Sequence, residues 1–121
     1  MREKKRILHI LNSNSYSGAE NVVITIIENM KDTYDCAYFS PTGSISKVLA
    51  EKDIPYIAVE KLSVRTIQKA IADFRPNLIH AHDFRAGMLS CLTGTHIPII
   101  NHLHNNSPWL KSFSTWTIAY A

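Results

Sequence analysis

Only two cysteines and four glycines occur among the 121 residues, and the formal net charge is just +3. Each scarcity excludes something. Cys36 and Cys91 lie far apart with no CxxC spacing, so neither a disulfide framework nor a cysteine-based zinc motif is written here. They read as two reduced, buried thiols of a cytosolic protein. The few glycines form neither GxGxxG nor the GxxxxGK[ST] phosphate loop, which removes the standard dinucleotide and ATP-hydrolysing signatures. No run approaches the roughly 20 apolar residues of a membrane-spanning helix. The charged start, Met1 to Arg6, precedes an apolar run (Ile7 to Leu11) too short for a signal peptide. A pI near 9.0 without a dense basic stripe gives no nucleic-acid footprint. The basic start reads as a solvated lead-in to a strand, with peripheral contact to anionic lipid as its alternative.

What remains is an ordinary globular composition, 45% hydrophobic and 19% charged, in a chain of single-domain length. The pattern is alternation. Ile7 to Leu11, Tyr34 to Ser40, Pro55 to Val59, Leu78 to His82 and Ile97 to Leu103 are short apolar runs bounded by polar or breaking residues, the signature of buried strands. Between them lie helical patterns. Val22, Val23, Ile26, Ile27 and Met30 form one apolar stripe, and Ile45, Val48 and Leu49 another, capped at Ser44 or Ser46. Ser63 caps a third helix with Val64, Ile67, Ile71 and Phe74 inside, ended by Pro76. Asp83 caps a fourth that stops at Gly94. Trp109, Phe113, Trp116 and Tyr120 share one face of a final helical pattern. If left without a partner surface, that stripe favours self-association.

Five strands alternating with helices predict an α/β, Rossmann-like, doubly wound parallel sheet. In such sheets ligands bind beyond the carboxyl ends of the strands, near the point where strand order reverses. Three places qualify. The loop from Ser13 to Glu20 leads straight into a helix, and its small residues Ser17, Gly18 and Ala19 suit close approach of a phosphate. The other two are the pairs His80/His82 and His102/His104, each presenting two imidazoles to one face of its strand. Asp83 follows the first pair. A zinc site is one reading of four converging histidines. The preferred reading is hydrogen bonding of sugar hydroxyls or phosphate oxygens, with His104 best placed at its strand's end. His80 reads as a core histidine, and His9 and His96 carry no assigned role.

Ser17-Gly18-Ala19-Glu20, Pro76-Asn77-Leu78-Ile79-His80-Ala81-His82-Asp83 and Ile97-Pro98-Ile99-Ile100-Asn101-His102-Leu103-His104, in this order, resemble the amino-terminal domain of retaining GT-B glycosyltransferases. The group most resembled is family four, with its bacterial enzymes of capsule, exopolysaccharide and cell-envelope assembly. The family's first-loop motif is Gly-Gly-x-Glu, so Ser17 replaces a glycine while Gly18, Ala19 and Glu20 match. Asn77 stands where the family commonly has Asp.

The resemblance implies transfer of a sugar, with retention, from a UDP- or GDP-linked donor to a hydroxyl of a glycan or lipid-linked acceptor, without metal or other cofactor. It implies Ser17 to Glu20 facing the donor diphosphate, His104 as the catalytic-cleft histidine, and His82, Asp83 and His102 on the acceptor side. It places residues 1–121 in an acceptor-side domain, incomplete at its carboxyl end, that lacks the donor-binding domain with its Glu-x7-Glu motif. Alone, such a chain is expected to be inactive, and the whole enzyme to be cytoplasmic, at the inner face of a membrane at most. The alternatives are a small flavodoxin-like nucleotide or phosphate module, and a metal protein built on the histidine pairs.

Overall fold

The computed structural model describes residues 4–12, 18–102 and 116–120. Its strands are β1 (Lys5–Ile10), β2 (Tyr34–Pro41), β3 (Tyr56–Val59), β4 (Leu78–Ala81), β5 (Pro98–His102) and β6 (Trp116–Tyr120). The helices are α1 (Gly18–Met30), α2 (Ile45–Glu51), α3 (Val64–Phe74) and α4 (Phe84–Leu92). The sheet order is β3-β2-β1-β4-β5-β6. The first five strands run parallel, so the expected doubly wound α/β fold is present. The order reverses between β1 and β4, and the carboxyl ends of those two strands meet there.

Period-two alternation sorts the strand residues onto two faces. Ile7, Leu11, Cys36 and Tyr38 pack with Val23, Ile24 and Ile27 of α1 and Ile45 and Leu49 of α2. Leu8, Ile10, Ala37, Phe39, Ile79, Ala81 and Ile99 pack with Ile67 and Ala70 of α3 and Ala86 of α4. His9, His80 and His82 fall on the first of these faces, at positions where the alternation asks for an apolar side chain.

Local signals explain the helix ends. Ser63 accepts from the Thr66 backbone N–H while the Thr66 hydroxyl accepts from the Ser63 N–H, a reciprocal capping box. Asp83 caps α4 by accepting from Ala86 N at 2.7 Å. Ser44 holds the N-cap position of α2 without a side-chain bond. Asn77, in the place where the resembled family has Asp, continues the β1–β4 ladder. It accepts from Arg6 N at 2.8 Å through Oδ1 and donates its own N–H to Arg6 O at 2.7 Å.

Three expectations need correction. The buried face of α1 is Glu20, Val23, Ile24 and Ile27, whereas Val22 and Met30 are exposed. The stripe is rotated by about one residue, with Val23, Ile24 and Ile27 in the core and Glu20 buried in the first turn. Trp116 and Tyr120 lie in β6, which pairs antiparallel with β5, so the helical reading fails over 116–120. Strand pairing supplies those residues with hydrogen bonds along the open edge of β5, and tertiary context overrides the helical spacing. Trp109 and Phe113 lie outside the described residues. Cys91 is exposed, unlike Cys36.

Burial, with the nearby Asp35 carboxylate adding to it, pushes the Cys36 thiol up to about 11. At pH 7.5 a maleimide should therefore label Cys91 promptly and Cys36 only on unfolding. Two equally fast thiols would contradict the packing. Gly87, in α4, is a second point of close fit. A Cβ there would run into the Asn101 side-chain amide of β5. Gly87→Val should lower stability by about 2 kcal/mol, overpacking outweighing the helix propensity gained. A urea midpoint equal to that of the parent would show that Asn101 moves aside freely.

Candidate functional site

Two residues set the floor of the crevice at the β1–β4 reversal. Asp83 binds two backbone donors at once. Its Oδ1 receives Ala86 N, and its Oδ2 receives Asn12 N at 2.6 Å, which ties the end of β1 to the start of α4. His82 N donates to Ile10 O at 3.0 Å, carrying the ladder one residue beyond β4. The two strand ends are thus locked together where a ligand would sit.

Above this floor lies a group of imidazoles. His9 and His80 are register partners on β1 and β4. The His80 and His82 rings stack at 3.8 Å, inclined by 21°. His9 Nδ1 and His82 Nε2 face each other at 2.9 Å, so one proton is shared between two rings. His102 of β5 joins at 5.7 Å from His80 and 5.9 Å from His82, ring centre to ring centre. His9 is 0%, His82 1% and His80 6% exposed. Burial, reinforced by neighbouring His80, drives His9 down to about 3, so it is neutral at pH 7.

Glu20 is the other buried polar group of the region, 1% exposed in the first turn of α1. The phenol of Tyr38 is pushed well above its ordinary range by burial first, then by the nearby carboxylate of Glu20, with Tyr56 and Asp83 contributing. Its hydroxyl has no hydrogen-bond partner among the described residues.

The predicted residues sort as follows. Gly18 and Ala19 open α1, and Glu20 turns inward behind them. His82 and His102 converge, and His80 is buried as a core histidine would be. Asp83 acts as a cap and a strap. Ser17 and His104 lie outside the described residues. His9 was left without a role by the sequence, yet it completes the cluster. Its signal was present as the one polar residue inside Ile7-Leu8-His9-Ile10-Leu11. Only the β1–β4 register could assign that signal a neighbour.

No family model matches the chain, and no curated protein matches it. Among solved structures it is similar to a glycosyltransferase from Rickettsia africae ESF-5. That likeness has a TM-score of 0.64 at 20% identity, covering 76% of this chain and 27% of that one. The chain therefore spans about a quarter of its structural neighbour's length, and the likeness is one of fold. No helix among the described residues is long and apolar enough to cross a membrane.

Proposed function

We propose that this chain is the acceptor-side, amino-terminal domain of a retaining GT-B glycosyltransferase, completed by a donor-binding domain. The observation that carries the reading is the meeting of His82 and His102 beside the β1–β4 reversal, in a fold similar to part of a glycosyltransferase. Strand ends at a reversal are where doubly wound sheets hold ligands.

In this reading Ser17, Gly18 and Ala19 let the backbone approach the diphosphate of a UDP- or GDP-linked sugar. The positive end of the α1 dipole favours that negative charge. His82 and His102 offer imidazole donors and acceptors to acceptor hydroxyls, and Asp83 positions them by holding β1 to α4. His104 touches the reacting sugar. The acceptor is a glycan or a lipid-linked saccharide, and the transfer needs no metal. Positive groups that stabilise the departing diphosphate belong to the second domain, so residues 1–121 alone turn over no substrate.

The test is nucleotide release from UDP- and GDP-hexoses by the longer reading frame containing this chain. His104→Ala should lower turnover by about 100-fold or more while leaving the unfolding midpoint in place. No release from any nucleotide sugar, or a His104→Ala variant that simply melts, would reject the assignment.

A further inference from the structure

His9 and His80 have no part in the hydroxyl-binding role proposed above, and both rings lie against that of His82. All three are buried, His9 and His80 as register partners on β1 and β4 and His82 one residue beyond β4. Buried polar groups persist in cores when they are fully paired or hold something. His9 Nε2 has no hydrogen-bond partner among the described residues. One potential ligand nitrogen from each of the three rings lies within 4.8 Å of those of the other two.

From this grouping we propose that His9, His80 and His82 form a binding site for one divalent transition-metal ion of the zinc type. Three imidazoles and no carboxylate suit zinc, copper, nickel or cobalt, and disfavour magnesium or calcium, which take oxygen ligands. The geometry asks for a small movement. Zinc–nitrogen bonds of about 2.0–2.1 Å in a tetrahedron set ligand nitrogens about 3.3–3.4 Å apart. His9 Nδ1 and His82 Nε2 already face each other at 2.9 Å. Parting them by roughly half an ångström replaces the shared proton with the ion. His80 supplies the third nitrogen by tilting out of its 3.8 Å stack on His82. The fourth position is left to water or to the half-buried His102, whose ring centre is 5.7 Å from that of His80. All three rings must be neutral to bind, so affinity falls with acid, and on loading the ring that donated the shared proton changes tautomer and carries that proton on its other nitrogen. The ion would brace β1 against β4 and takes no part in the chemical step of the transfer, and with His82 engaged as a ligand the acceptor hydroxyls are left to His102.

Calorimetric titration of zinc into the metal-free 121-residue chain at pH 7.5 tests this, with cobalt absorption reporting geometry. One ion should bind with a Kd of about 1 μM or tighter and give the intense bands of tetrahedral cobalt. His82→Gln should weaken binding at least about 100-fold. The double variant with His96→Gln and Cys91→Ser, both exposed positions, should bind as the parent does. Binding that survives His82→Gln but disappears in the double variant, or no binding by the folded parent, overturns the proposal. If His82→Gln does not fold, X-ray absorption of the zinc-loaded parent decides. A shell with three imidazoles supports the site, and one with sulfur or with fewer imidazoles rejects it.

Discussion

Urea unfolding should show full stability above about pH 6.5 and a steep loss as the pH falls below it. The cause is His9. In the unfolded chain its imidazole takes a proton near 6.5, whereas in the fold it resists protonation down to about 3, chiefly through burial. Between those values the unfolded state holds more protons, so each pH unit removes about 1.4 kcal/mol of stability. At pH 4.5 the loss is roughly 2–3 kcal/mol, a large share of the 5–15 kcal/mol typical of a domain. The sign is set by the depressed pKa. Stability rises with pH through this window and is flat above it.

The control is His9→Gln. Removing the ring deletes the bond to His82 Nε2 and should cost about 1–3 kcal/mol at pH 7. It should also flatten the profile between pH 4.5 and 6.5, which a merely weakened core would not do. A parent protein equally stable at pH 4.5 and 7.5 would mean that His9 accepts a proton in place.

Asp83→Ala should be the other costly change at the strand ends, lowering stability by about 2–3 kcal/mol. The carboxylate satisfies one orphan N–H at the start of α4 and the N–H of Asn12 at the end of β1. A lost N-cap alone costs about 1 kcal/mol, and a charge-assisted bond to a second element adds to that. Asp83→Asn keeps an amide oxygen for the cap and should cost about 1 kcal/mol. If Ala and Asn behave alike, the cap on Ala86 contributes nothing, and if Asn behaves as the parent does, the link to Asn12 contributes nothing. On the function proposed above, Asp83→Ala should also raise the KM for acceptor, because it loosens the end of β1 from α4 beside His82.

How far the sequence could be read depended on the range of each signal. Short apolar runs and helix caps are local, which is why β1 to β5 and the caps at Ser63 and Asp83 were legible. The doubly wound order follows from alternation together with the handedness of crossovers. The tilt of α1 was not legible, since Val22 and Met30 satisfy the helical period as well as Val23 and Ile24 do. Which of them faces the core, and that Glu20 goes inward with them, is set by tertiary packing that leaves no local trace.

The aromatic spacing of Trp116 and Tyr120 fits a helix. Residues four apart also share one face of a strand, and the free edge of β5 decided between them. The histidine cluster was half legible. Two pairs at strand ends could be seen, but His9 joins only through its register with His80, and register is a long-range property.

The central claim is that ligands meet this domain at the carboxyl ends of β1 and β4. The most direct measurement is a nuclear magnetic resonance titration of UDP, GDP and their sugars into a protein carrying this domain together with the donor-binding domain proposed for it, with assigned imidazole and backbone signals. The account predicts shifts at Gly18 to Glu20, His82 and His102, with one nucleotide preferred. It also predicts quiet signals at the opposite end of the sheet, where Arg6, Lys31, Lys52 and Asp53 line a groove of about 280 Å³. Shifts confined to that groove, or none with any nucleotide, would contradict it.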